Sequence, residues 1–354
     1  MKILINALSG IGDALMFTPA LKKLKEDYPD SQIDALVMYK GVKEIYERLP
    51  EISKIHYWEF LKEKKLKSLL FVLSLRNKYD ISINVYPSNR KEYNLINFLI
   101  GAQERVAIKY LRKDFQNLGF LNNLRVQEDD SLHNVEENIR LCELVTNKKF
   151  SDIPELILNF KNEDLEFGEN FLKENHISEN ELIIGFHPGC STLKNHDKRR
   201  WETYKFAELG KKLIEEHKAK ILIFGGPEEK IIKEEVVNKI NSTSAISVDT
   251  SSLIHTATVM KRCNIFVTND SSLMHIASAL GLNVVAIIGP TNKNYIHPWK
   301  TNYKIASLEL ECSPCFYYSP KPLTCTRKDI KFKCIKELGV EHVYSQVVKF
   351  IHVD

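Results

Sequence analysis

Three short stretches of this 354-residue chain place glycines, small polar residues and charges where apolar runs end, and all three suit an anionic ligand. In the first, Ile265-Phe266-Val267 runs into Asn269-Asp270-Ser271-Ser272. A helix-forming stretch follows and carries His275. A second apolar run, 284–288, then ends in Gly289-Pro290-Thr291. Strand, helix, strand in that order is a βαβ unit of a parallel sheet. The first N–H groups of its helix have no intrahelical partner and point past the sheet edge, which makes the turn an anion site with diphosphate as the usual occupant. Asp270 is expected to cap the helix, with Ser271 and Ser272 supplying backbone donors. His275 shares the face of Ser271 one turn on and could reach a phosphate or its sugar; a histidine there otherwise serves packing.

The second stretch, His187-Pro188-Gly189-Cys190-Ser191, is followed by Lys194, Lys198, Arg199, Arg200 and Trp201. A glycine turn with four cations behind it suits a polyphosphate, because each cation near a departing group lowers the cost of its charge. Any one lysine alone reads as solvated surface; the cluster reads as a site. In the third stretch, Phe224-Gly225-Gly226-Pro227-Glu228-Glu229, Glu228 or Glu229 could accept hydrogen bonds from ribose hydroxyls. The plainer role is negative charge in the first turn of a helix.

A fourth motif, Ser9-Gly10-Ile11-Gly12-Asp13, follows the first apolar run, and Gly12 allows a ligand to approach the backbone closely. It opens like a dinucleotide fingerprint, but Leu15 stands where the third glycine belongs and Tyr39-Lys40 where an acidic residue should end the second strand. That argues against a nicotinamide cofactor. Asp13 has two readings. One is a carboxylate favourable at a helix start by about 1 kcal/mol. The other is a general base that takes a proton from an attacking hydroxyl. Near the other end, Cys312, Cys315, Cys325 and Cys334 have the spacing of a thiolate metal site, zinc or iron, with free thiols as the alternative.

The elements that must hold these residues alternate along the chain. Strand patterns at 2–8, 33–38 and 81–86 are interleaved with a helix at 14–28 and a basic amphipathic stretch at 61–76. A second series has strands at 182–187, 220–224 and 245–248, helices at 203–217, 228–240 and 251–261, and then the βαβ unit. A helical pattern closes the chain at 340–351. Alternation of this kind implies doubly wound parallel sheets. Two series imply an α/β protein of two Rossmann-like domains facing a central cleft, with ligands at the carboxyl ends of the strands. Residues 149–161, with Pro154 and no clear periodicity, approach a linker. The expected division is 1–165 as a first domain carrying Asp13 and 166–335 as a second carrying the other three stretches and the cysteines. A terminal helix in 336–354 is expected to pack back on the first.

Composition is that of an ordinary globular protein, with 44% hydrophobic and 27% charged residues and a net charge of +4 that argues against nucleic-acid binding through bulk charge. No apolar run is long enough to span a bilayer, and the first eight residues read as a strand rather than a signal peptide. The expected location is the cytoplasm, where seven cysteines are free or metal-bound rather than disulfide-linked. Leu61, Leu66, Leu69 and Leu70, alternating with Lys62, Lys64, Lys65 and Lys67, could rest on the anionic inner face of a membrane; a solvated amphipathic helix is the plainer reading.

Taken together and in order, the motif at 9–13 with Pro19, the segment from His187 to Trp201, the glycine corner at 224–228, and the turn at 269–275 with Gly289-Pro290-Thr291 resemble bacterial glycosyltransferase family 9, the ADP-heptose:lipopolysaccharide heptosyltransferases. The resemblance spans essentially the whole chain. It implies a GT-B fold and an inverting transfer from a nucleotide sugar, most simply heptose from ADP-heptose to a lipopolysaccharide core hydroxyl. Asp13 matches the family's proposed base. Asp270, Ser271, Ser272 and His275 match its nucleotide-sugar turn. Where the family carries a lysine two residues before the tryptophan, this chain has Arg199, with Lys198 adjacent; where its turn carries a glycine, this chain has Ser272. No cofactor is expected for the chemistry, since cations and a helix dipole can neutralise the diphosphate. Other acceptors fit the same pattern, a protein or another glycan. So do two other classes: a sugar-nucleotide epimerase of the same fold, and a binding protein without turnover, against which the intact Asp13 argues.

Overall fold

The computed structural model describes residues 1–178, 180–317 and 322–351. The chain divides into two compact units, the first being Met1–Asn159 and the second beginning at Phe160. This division falls inside the Pro154-bearing segment, a few residues before the expected 165.

The first unit holds a six-stranded sheet of β1 (Lys2–Ala7), β2 (Gln32–Val37), β3 (Lys54–Tyr57), β4 (Ile81–Asn84), β5 (Glu104–Lys109) and β6 (Leu124–Gln127). Its order is β3-β2-β1-β4-β5-β6, parallel throughout. The second unit holds β7 (Ile183–His187), β8 (Lys220–Ile223), β9 (Ala245–Ser247), β10 (Ile265–Asn269), β11 (Asn283–Ile287) and β12 (Tyr303–Ala306). Its order is β12-β11-β10-β7-β8-β9, again parallel. Read from the β9 edge this is the same doubly wound order as the first sheet. In each, the first strand of the series lies beside the fourth, so the strand order reverses between β1 and β4 and between β7 and β10.

The central strands are covered on both faces by helices, and their residues are apolar without alternation. Ile3, Leu4 and Ile5 of β1 and Ile265, Phe266 and Val267 of β10 are all buried. Gly185 sits in the middle of β7 because the Phe266 ring lies where its side chain would be, 2.5 Å from an added Cβ. The edge strands β3 and β6 are short, half-polar and partly exposed.

Several elements differ from expectation. The helix foreseen over 14–28 is two, Ile11–Met16 and Thr18–Asp27, broken at Phe17. Pro19 falls in the first turn of the second helix, where its missing N–H costs nothing. Helix Lys91–Ile100 was hidden because Asn94 and Asn97 occupy its inward face. There they join a buried amide network, with Asn6 Nδ2 donating to Asn97 at 2.8 Å and Asn122 Nδ2 to Asn94 at 2.8 Å. The terminal helix Val340–Ile351 falls in the second unit. Val343 and Val347 complete the second unit's core with Trp201, whose indole N–H donates to the Leu338 carbonyl at 2.8 Å.

Candidate active site

In the second unit the site lies where β7 and β10 run side by side. The register sets Thr268 against His187, so the turns leaving both strands meet at the carboxyl edge. The buried Asn269 side chain ties them together. It donates to the carbonyls of Pro188 at 2.8 Å and Gly189 at 3.3 Å, and accepts from the Trp201 N–H at 2.9 Å. One amide thus holds the glycine turn, the cation-rich segment and the helix start in place.

Ser271, not Asp270, is the N-cap of helix Ser272–Ala279, and its hydroxyl makes no capping bond. It lies instead 2.8 Å from His187 Nδ1, whose Nε2 lies 3.1 Å from Glu229 Oε2. In helix Leu253–Met260 of the same unit, by contrast, Ser252 closes the end by accepting from the His255 N–H at 3.1 Å. With the Ser271 hydroxyl drawn aside, the first N–H groups of its helix stay open toward the sheet edge, together with the positive end of the dipole.

The carboxylate of Asp270 turns the other way. It accepts from Arg199 Nη1 and, at 2.6 Å, from the Thr291 hydroxyl. Arg199 also donates to Thr291 at 3.2 Å, has an Nη2 3.2 Å from His196 Nδ1, and lies over the Phe316 ring at 5.5 Å. Asp270, Arg199 and Thr291 are all buried. The expected cap is therefore corrected: a carboxylate buried here is held by a guanidinium rather than spent on a helix end, since an unpaired buried charge is far more costly. Lys198 lies outside this cluster, exposed and 3.3 Å from Asp197. Of the two cations that the sequence left open, Arg199 is the one within the site.

The glycine corner makes a similar choice. Glu228 is exposed, while Glu229 reaches inward to His187. Burial pushes the Glu229 carboxyl up, but His187, the Gly226 N–H at 3.0 Å and Arg200 outweigh it and hold it below the ordinary range. Gly189 has no side chain because the Glu229 carboxylate occupies that space. The spacing could have singled out Glu229: it stands three residues after the N-cap Gly226, the capping-box position. His275 is buried one turn into its helix. Burial drives its pKa down to about 4, against an upward pull from Asp270 and with a further downward push from His297. Its ring is therefore neutral, and Nδ1 has no hydrogen-bond partner among the described residues.

In the first unit, Gly12 is buried in helix Ile11–Met16 and Asp13 stands at its third position. Asp13 Oδ2 accepts from the Gly10 N–H at 2.9 Å, so the capping role is real, though from the third helical position rather than the N-cap. The exit from the neighbouring β4 carries Arg90, whose guanidinium lies 5.6 Å from the centre of the Tyr93 ring. Burial raises the pKa of both Tyr39 and Tyr93; Arg90 lowers each and Asp13 raises each. Asp13, Arg90, Tyr39 and Tyr93 thus share one electrostatic neighbourhood at the carboxyl edge. Arg90 and the two tyrosines were not foreseen, because no motif marks them.

The four cysteines near the end of the chain are free. Burial first, then the neighbouring sulfurs, raises Cys315 and lifts Cys334 to about 11. Cys312 accepts from Arg327 at 3.4 Å and Cys325 from the Phe332 N–H at 3.3 Å. The thiol chemistry suits zinc or iron, but among the described residues no three histidine, cysteine or acidic side chains converge as a ligand set. The expected structural metal has no support in this arrangement. Spacing in sequence brings the four thiols into mutual range; it does not aim them at one point.

Known proteins resemble this chain over most of its length. The family described as glycosyltransferase family 9 (heptosyltransferase) matches residues 70–323. A lipooligosaccharide heptosyltransferase 2 of Haemophilus ducreyi is 30% identical, covering 84% of this chain and 86% of its own. Among solved structures, E. coli ADP-heptose lps heptosyltransferase II superposes with a TM-score of 0.75 at 21% identity, covering 99% and 98% of the two chains. An E. coli heptosyltransferase solved with ADP-2-deoxy-2-fluoro heptose gives 0.68 at 17% identity, covering 99% of each. Both structures share the two-domain Rossmann-like fold. No helix among the described residues is long and apolar enough to cross a membrane.

Proposed function

The chain belongs to glycosyltransferase family 9, and on that premise we propose that it transfers heptose from ADP-heptose, with inversion, to a hydroxyl of a lipopolysaccharide core acceptor. The observation that carries this reading is the open helix start at Ser271–Ser272 beside the buried Arg199–Asp270–Thr291 cluster. A leaving diphosphate needs donors and positive potential held in place beforehand, and this corner of the second unit supplies both. The names of the Haemophilus ducreyi relative and of the liganded E. coli protein support heptose and ADP as the donor's parts.

In the proposed reaction Asp13 takes the proton of the acceptor hydroxyl. The oxygen attacks the anomeric carbon from the face opposite the diphosphate. The bond from that carbon to the phosphate oxygen breaks, and its electron pair leaves on ADP. Donors at Ser272 and the field of Arg199 stabilise the departing charge, while Asp270 and Thr291 keep the guanidinium fixed. The His187–Glu229 pair holds the Ser271 hydroxyl away from the helix start. The neutral His275 ring, with a nitrogen free to bond, lies behind the same turn.

Thermal-shift and calorimetric titration with ADP-heptose, and with ADP-, GDP-, UDP- and dTDP-hexoses, tests the donor. ADP-heptose is expected to raise the melting temperature most. A preference for a GDP- or UDP-sugar, or consumption of the donor with no acceptor present, would reject the proposal.

A further inference from the structure

Three polar side chains beside the open helix start form one hydrogen-bonded chain. Ser271 Oγ lies 2.8 Å from His187 Nδ1, and His187 Nε2 lies 3.1 Å from Glu229 Oε2. The serine follows β10, the histidine ends β7 and the glutamate follows β8. These strands are neighbours in the sheet, so the strand order brings the three together. The histidine is only 3% exposed. A buried chain of this kind restricts where each proton can sit.

The proton positions follow from the partners. Against its burial, His187, the Gly226 N–H and Arg200 keep the Glu229 carboxylate ionised. An ionised carboxylate only accepts, so Nε2 carries a proton and donates to it. Nδ1 is then the position whose proton can come and go. With Nδ1 bare, the Ser271 hydroxyl donates to it and presents only oxygen lone pairs to the helix start, which repel an anion there. With Nδ1 protonated, its N–H donates to Ser271 Oγ, and the hydroxyl proton turns toward the helix start as a donor. Thr268 Oγ1, 3.2 Å from Ser271 Oγ and 3.5 Å from Nδ1, is a neutral alternative acceptor. A charged phosphate oxygen makes the stronger bond. The charges around the ring suit a second proton. Glu229 faces Nε2, Arg200 stands 3.9 Å from the other Glu229 oxygen, and the Arg199–Asp270 pair is satisfied within itself.

We propose that the donor's diphosphate binds together with a proton, which His187 takes from solvent on Nδ1 so that Ser271 becomes a hydrogen-bond donor to a phosphate oxygen. No other bond changes in this step. His187 touches Ser271 and not the diphosphate, so it is a positioning residue for the leaving group. The inference rests on the proposed donor site, but its test reads protons rather than turnover.

The test is calorimetric titration with ADP-heptose, without acceptor, at about pH 7.5 in buffers of different ionisation enthalpy. A sugar diphosphate exchanges no proton near neutral pH, so any proton exchanged belongs to the protein. For wild type the apparent binding enthalpy should rise with the buffer's ionisation enthalpy, the sign of proton uptake, and affinity should weaken as pH rises. His187→Gln should bind about 10- to 150-fold more weakly, the range for one hydrogen bond to a charged group, with an enthalpy independent of buffer. Glu229→Gln keeps the histidine but removes the charge that favours its second proton, and should lower the buffer dependence. Ser272→Pro removes a neighbouring N–H donor. It should weaken binding yet keep the wild-type buffer dependence, which separates weak binding from lost proton linkage. Melting temperatures without ligand identify the folded variants. A wild-type enthalpy independent of buffer, or an unchanged dependence in folded His187→Gln, would overturn the inference and leave the donor site standing. Absence of binding by wild type would reject the donor site and this inference with it.

Discussion

Replacing Ser272 by proline would remove a single hydrogen-bond donor from the proposed diphosphate site and little else. Ser272 is the first residue of its helix, and Ser271 before it is fully extended, at φ −157° and ψ 171°. Proline's fixed φ suits the first helical position, and an extended preceding residue is what proline requires. The N–H at that position has no intrahelical partner, so no helix bond is lost. A hydrogen bond to a charged group contributes about 1.5–3 kcal/mol net. ADP affinity should therefore fall by about 10- to 150-fold, while the melting temperature without ligand stays near that of wild type. Ser272→Ala, which keeps the N–H, should bind normally. Isothermal titration with ADP reads all three proteins. A folded Ser272→Pro variant with wild-type affinity would refute the placement of the diphosphate at this helix start.

Arg199→Met should destabilise the second unit by about 3–5 kcal/mol in chemical denaturation, because it leaves the Asp270 carboxylate buried without its cation. Adding Asp270→Asn should recover much of that loss, and strict additivity of the two changes would argue against the pairing. His275 has its pKa lowered from 6.5 to about 4, so the folded protein keeps the ring neutral where the unfolded chain would protonate it. Its contribution is present above pH 6.5 and is lost as pH falls toward 4, a change of about 3 kcal/mol at 1.36 kcal/mol per unit. Urea titrations at pH 7 and pH 4.5 should show a smaller drop in stability for His275→Gln than for wild type; an equal drop would place the acid sensitivity elsewhere.

The parts of this protein legible in its sequence are those where chemistry and local structure coincide. The turn at 269–272 follows a fully apolar strand and opens a helix, so its place at a sheet edge follows from the pattern alone. Arg199 was visible as one cation among several, but its bond to Asp270 crosses 71 positions and depends on how β7 and β10 pair. The capping-box spacing after Gly226 distinguishes Glu229 from Glu228, but the histidine it turns toward lies 42 residues away and is invisible to local pattern. Helix Lys91–Ile100 stayed hidden because Asn94 and Asn97 share its inward face with Tyr93 and Ile100 while Leu95 and Phe98 lie outside, which blurs the apolar period. Cys312, Cys315, Cys325 and Cys334 show the opposite case, a clear spacing whose side chains do not converge.

Asp13→Asn separates a base acting on an acceptor from the donor site of the second unit. Asparagine keeps an oxygen for the Gly10 N–H, so the helix start survives, but it cannot take a proton at neutral pH. Steady-state transfer from ADP-heptose should fall by about 10²- to 10⁴-fold in kcat, with the Kd for ADP unchanged. Turnover near the wild-type rate with that variant would show that Asp13 is not the base.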